Sequence, residues 1–185
     1  MKMAWSRNRC LMGGLMLMIV FMLTGCATAP KEFDPKVSGP QVIVEPDSLS
    51  LGVATLAKTP MVFRGKGFQP EDSVFITLQG VKKGDQVVNV PIADAEVDKN
   101  GNFTASVGTL AKVTEFIRGQ LGTGKNMENI IVVTQPPMPA GTYTAKAVSM
   151  DSDKKAECKL TFREPSVMDR FKDWMGVRMG KIQKK

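Results

Sequence analysis

Along most of the chain, apolar and polar positions alternate in short runs, each cut by Gly, Pro, Asn or Asp. Alternation with period two is the pattern of a half-buried strand. It predicts strands over Gln41–Val44, Leu49–Leu56, Met61–Gly65, Ser73–Leu78, Gln86–Ile92 and Asn102–Val107. Further strands are predicted over Ile130–Thr134, Thr142–Met150 and Ala156–Phe162. Val, Ile, Thr and Phe fill these runs, as a pleated surface buried on one face prefers. Many short strands with frequent turn residues predict a mainly β body, a sandwich or barrel rather than a parallel α/β sheet.

Two stretches switch to helical spacing. Leu110, Val113, Ile117 and Leu121 form one apolar stripe, with Ala111 and Phe116 beside it. This predicts an amphipathic helix over Thr109–Leu121, within an insertion spanning 108–129. Such a helix either packs over an open end of the β body or presents Leu110, Val113, Phe116 and Ile117 to a partner; long insertions in compact domains are often functional. The second helix is terminal, over 165–185. Ser166 with Asp169 three residues on has the form of a capping box. Val167, Met168, Phe171, Trp174, Met175, Met179 and Ile182 fall on one broad apolar face, with Arg178 inside that arc. Arg170, Lys172 and Lys181 flank it, and Asp169, Asp173, Gly176 and Gly180 lie opposite. A basic amphipathic helix bearing Trp and Phe suits a membrane surface, a groove on a partner, or its own body. Each glycine weakens an isolated helix by roughly 1 kcal/mol, so this helix is expected to need a surface to form.

The N-terminal stretch follows another rule. Met1 to Arg9 holds Lys2, Arg7 and Arg9 and no acid, and the apolar run Cys10 to Leu23 is too short to span a bilayer. Charge, apolar run and small residues form the order of a signal peptide, over 1–25. The closing residues Leu23-Thr24-Gly25-Cys26 resemble the lipobox of bacterial lipoproteins. That resemblance implies diacylglycerol on the Cys26 sulfur, cleavage before it, and acylation of the new amino group. Cys26 would then hold the protein in a lipid bilayer. Ala27 resembles the residue found there in lipoproteins sent to the outer membrane, and 26–40 reads as a lipidated, proline-containing tether.

Removal of the leader changes the composition. Six of the 13 Met residues go with it, as does Cys10. With Cys26 acylated, Cys158 is the one thiol left and no disulfide within the chain forms. Cys158 sits in an alternating strand, where a cysteine acts as a small buried hydrophobe. Three of the 25 basic residues also leave while all 18 acids stay, so the formal +7 falls to +4. That remainder lies in the tail from Arg163 onward, which leaves no basic body to follow a nucleic-acid backbone.

Several segments carry a second resemblance. Phe63-Arg64-Gly65-Lys66-Gly67-Phe68-Gln69-Pro70-Glu71-Asp72-Ser73-Val74 places a glycine turn between strands. Asp98-Lys99-Asn100-Gly101-Asn102-Phe103 is a hairpin signal, and Ala140-Gly141-Thr142-Tyr143-Thr144-Ala145 opens a later strand. In this order they resemble immunoglobulin-like modules of bacterial envelope and surface proteins. The resemblance implies an immunoglobulin-like β-sandwich over 41–164, interrupted by the 108–129 insertion. It says little of function, since such modules serve many roles.

Catalytic chemistry is sparse. The chain has no histidine, which removes Ser-His-Asp and Cys-His catalysis, the common zinc and copper sites, and the usual near-neutral base. Gly119-Gln120-Leu121-Gly122-Thr123-Gly124-Lys125 has phosphate-loop spacing, but Asn126 replaces the hydroxyl residue and a strand, not a helix, is predicted next. Ser152-Asp153-Lys154-Lys155 has Ser-x-x-Lys spacing but sits in a polar hairpin. Asp94, Glu96, Asp98 and Asn100 cluster oxygens, yet Lys99 and Ala105 stand where a calcium loop needs Gly and Glu. Met127, Met138 and Met150 are too scattered for a Cu(I) site. The sequence therefore predicts no cofactor, metal, nucleotide or nucleic acid. It points to a non-enzymatic, lipid-anchored envelope protein that acts as a scaffold or protein-interaction module, with other envelope proteins as partners. The rival reading is a module binding glycan or peptidoglycan through its loops; sugar sites usually expose aromatics, and beyond the leader one Trp and one Tyr remain.

Overall fold

The computed structural model describes residues 31–185, so the leader and Cys26 lie outside the described residues. The described chain is mainly β, with three open sheets and a few helices. The first sheet has the order β1 (Gln41–Glu45), β3 (Val62–Lys66), β6 (Phe103–Ser106), all antiparallel. The second has the order β2 (Ser48–Ser50), β10 (Lys155–Arg163), β9 (Gly141–Ser149), β4 (Ser73–Lys83), β5 (Gln86–Glu96). The third has the order β11 (Ile182–Lys184), β8 (Asn129–Val133), β7 (Gly119–Thr123), with β11 parallel to β8. β7 from the insertion and β11 from the C-terminal tail thus flank β8 on its two sides.

Alternation decides burial here. Val42 and Val44 of β1, Phe63 of β3 and Phe103 and Ala105 of β6 are buried. So are Val74, Ile76 and Leu78 of β4, Ala145 and Ala147 of β9, and Leu160 and Phe162 of β10, and all belong to one core. Phe116 and Phe162 meet at 4.9 Å between ring centroids, and Phe68 meets Phe103 edge-on at 5.0 Å.

Three expectations need correction. The stretch read as a strand over Leu49–Leu56 is instead β2 followed by a short helix, α1 (Val53–Lys58). Gly52, at its N-terminus, offers no side-chain cap. The cap comes from far along the chain: Asp173 accepts from the Val53 N–H at 3.0 Å and the Ala54 N–H at 2.7 Å. At the other end the Lys112 ammonium donates to the Thr59 carbonyl at 2.7 Å, and Lys112 itself is buried. A helix this short is unstable alone; both of its termini are met by distant charges of the sign that its dipole favours.

The inserted helix is also shorter than the stripe predicted. It runs as α2 (Thr109–Ala111) and continues as a π-helical turn, Lys112–Ile117, ended by Arg118 in the left-handed conformation. Leu121 lies on β7 instead. The wider π turn points Val113, Phe116 and Ile117 into the core, each 0% exposed, while Leu110 stays 60% exposed. Val113, Phe116 and Ile117 are therefore core residues and not a displayed stripe, while Leu110 and Leu121 stay at the surface.

The segment read as a free tether is, from Lys31, fastened down. The Lys31 ammonium meets Asp47 at 2.7 Å, its N–H donates to Glu45, and its carbonyl accepts from Arg64. Gln41 ties back Asp34 and Val37, and the Lys66 ammonium lies over the Phe33 ring.

Candidate functional site

The terminal helix, α3 (Val167–Arg178), starts where its capping box places it. Ser166 Oγ accepts from the Asp169 N–H at 3.1 Å, and Asp169 accepts from the Ser166 N–H at 3.0 Å. It ends in a Schellman motif around Gly180, whose φ is +73°. The Lys181 N–H reaches the Gly176 carbonyl and the Gly180 N–H reaches that of Val177. Gly180 thus ends the helix, which does not extend to Lys185. Ile182, expected on its apolar face, is instead a buried residue of β11. It packs where Gly176 leaves room, since a Cβ on Gly176 would stand 2.6 Å from Ile182 Cδ1.

This helix docks with its polar side. Asp169 and Gly176 are its buried residues. The Asp169 carboxylate accepts from Thr55 Oγ1 at 2.6 Å, Ser50 Oγ at 2.7 Å and Ser166 Oγ at 2.7 Å. Those bonds, Thr55 first, hold its carboxyl well below the usual carboxylate range. Four residues on, Asp173 caps α1. The close approach requires Gly52, because a Cβ there would lie 2.6 Å from Asp169 Cβ.

With the acids facing inward, the apolar arc faces outward. Val167 is 86% exposed, Phe171 52% and Trp174 58%, with Met168, Met175 and Met179 also exposed. Phe171 and Trp174 stack at 5.9 Å. Arg178 lies within the arc, and Arg170, Lys172 and Lys181 border it, all solvent-facing. The helix is a ridge between two grooves. One, of about 620 Å³, is lined by Leu51, Pro136, Pro137, Trp174 and Val177. The other, of about 730 Å³, is lined by Ala57, Pro60, Ile131, Met175 and Met179, with Lys58, Lys172 and Lys181.

Sequence reasoning placed the apolar arc but missed Asp169 and Asp173 as the docking residues. The signal was present: the face opposite the arc holds two acids, two glycines and no cation, which is not how a solvated face of a basic helix is composed.

The remaining motifs are structural. Residues 119–125 form the start of the β7–β8 hairpin, with the Gly124 N–H on the Glu128 carbonyl, so no helix N-terminus is available for phosphate. Ser152 Oγ donates to Asp72 at 2.9 Å. Asp72 is buried; despite that burial, bonds from Asp151, Ser152 and Ser73 hold its carboxyl below its ordinary range. Asp98 Oδ1 accepts from the Asn100 and Asn102 N–H groups, a turn lock that lowers its pKa. Burial pushes the Cys158 thiol up to about 11, leaving it protonated and weakly reactive. Among the described residues no group of three His, Cys, Asp or Glu side chains could hold a metal, and no helix is long and apolar enough to cross a membrane.

No protein-family model and no curated protein matches this chain. Among solved structures, it is similar to macromomycin at 19% identity, over 68% of this chain and all of the other, with a TM-score of 0.38. It is similar to BslA, a bacterial hydrophobin, at 13% identity over 71% of this chain and 98% of that one, with a TM-score of 0.34. A β-glucosidase from Listeria innocua matches at 12% identity and a TM-score of 0.34, over 68% of this chain but 16% of its own length.

Proposed function

We propose that the protein is a non-enzymatic, lipid-anchored component of the cell envelope that works by contact. The observation carrying this reading is the outward apolar and basic face of α3, held in place by Asp169 and Asp173. A helix that turns its two acids inward and exposes Phe171 and Trp174 has its surface committed to something outside the body. The first and second sheets are read as the halves of an immunoglobulin-like sandwich, because buried residues of both meet in one core. In this scheme Cys26 supplies the anchor, the sandwich is the platform, and α3 makes the contact, in the outer membrane or at its periplasmic side.

The anchor is tested by feeding cells an alkyne palmitate. The expected result is label on the wild-type protein and none on Cys26→Ser, which stays unprocessed or is released. A Cys26→Ser protein that is still labelled, processed and membrane-bound would remove the anchor from the account.

A further inference from the structure

We propose that the outward face of α3 lies on an anionic lipid bilayer, giving the body a second point of membrane contact beside Cys26. Two observations support this, and only the second rests on the lipid-anchor reading above.

The first is how charge is sorted. Asp169 and Asp173, the two acids of the helix, face the body and are consumed by hydrogen bonds. No acid of the helix is left to repel lipid phosphates, while Arg170, Lys172 and Arg178 face solvent around Phe171 and Trp174. Cations bordering an exposed aromatic and aliphatic strip match the headgroup region of an anionic bilayer. A second copy fits poorly. A symmetric contact would set the same cations against one another. A 12-residue helix is also only about 18 Å long, and its face offers roughly half of the ~800 Å² per partner of a stable dimer.

The second is reach. Lys31 is pinned to Asp47, Glu45 and Arg64. Only Ala27, Thr28, Ala29 and Pro30 separate it from Cys26, a stretch that spans at most roughly 18 Å whatever its path. The body therefore rides close to the headgroups. Asp47, which holds Lys31, precedes by three residues Ser50, which holds Asp169 of α3. Three residues cover about 10 Å, so α3 is docked near the end of the body that the anchor holds.

The test uses the chain from Ala27 to Lys185, which keeps the whole core formed by residues 31–185. Trp5 lies in the leader, so Trp174 is the one tryptophan in this chain and reports on α3 directly. It is titrated with vesicles of phosphatidylethanolamine and phosphatidylglycerol, and with phosphatidylcholine alone. The expected result is a blue shift of Trp174 and co-sedimentation with the anionic vesicles, both much weaker with the neutral ones. Each basic residue near the surface contributes about a fivefold change in partition, so Lys172→Gln with Arg178→Gln should weaken binding about 25-fold. Met168→Ser with Phe171→Ser should abolish it without changing the circular dichroism, because both side chains are exposed in the folded chain. An unshifted Trp174 spectrum, equal binding to neutral vesicles, or full binding by the variants overturns the proposal. So does photo-crosslinking from position 171 in intact cells that yields a protein adduct and no lipid adduct. This chain carries no acyl group, so the titration reads α3 alone and palmitate labelling reads the anchor alone; either fails without the other.

Discussion

Phe116→Ala is expected to lower the unfolding free energy by about 3–5 kcal/mol, while Leu110→Ala changes it by less than about 0.5 kcal/mol. The two residues belong to one predicted stripe, and the structure separates them. Phe116 is fully buried, against the Phe162 ring at 4.9 Å, and its carbonyl accepts from the Met138 N–H at 2.9 Å. Removing the ring opens a cavity where the π turn, β10 and the loop before β9 converge, and a close-packed interior does not refill such a gap. Leu110 is exposed and touches no such interior. Since a domain of this size is stable by roughly 5–15 kcal/mol, the Phe116 variant should show a visibly lower urea midpoint. Equal midpoints for the two variants would mean that the insertion is a displayed element after all.

Asp169→Ala is the second large effect, expected at roughly 2–4 kcal/mol from the loss of several charge-assisted hydrogen bonds. The carboxylate joins Ser50, Thr55 and Ser166, so its removal frees the start of α3 from α1 and β2. The pH dependence has a definite sign. The folded carboxyl titrates below its ordinary value of 3.8, so the native state binds fewer protons than the unfolded chain in that range. Its contribution is full above the unfolded value and is lost as pH falls through the folded one. Asp72 and Asp98 shift the same way. Wild-type stability should therefore drop on acidification below about pH 4, and Asp169→Asn should show a shallower drop on top of a lower plateau. Urea midpoints measured between neutral pH and pH 2–3 check both statements; a parallel pair of curves would contradict the role given to Asp169.

What was legible in the sequence was whatever is local. Alternation located β1, β3, β6, β8, β9 and β10 within a residue or so and found the starts of β4 and β5, which run on to Lys83 and Glu96, and Ser166 with Asp169 marked the start of α3. What was not legible depends on distant partners. Leu51-Gly52-Val53 reads as a continuing strand because the residues that make α1 a helix, Asp173 and Lys112, lie far along the chain. β7 is glycine-rich and has no branched run, so it forms only because β8 pairs with it. β11 is three residues long and parallel to a strand some fifty positions earlier, a pairing that no local pattern announces. Helical periodicity found the apolar arc of α3 but assigns no face to the interior. The default that the apolar face is buried fails here because two carboxylates and Gly176 supply a better-fitting contact.

α3 is held by its polar side, with its apolar side outward. Acrylamide quenching of Trp174 in the chain from Ala27 to Lys185, without lipid or partner, tests this arrangement most directly. The expected result is a largely solvent-like emission spectrum and quenching well above that of a buried tryptophan, with Asp169→Asn little changed because the ring is already 58% exposed. A blue-shifted emission shielded from the quencher would show that Trp174 is packed against the body, and would contradict the outward face on which the proposed contact rests.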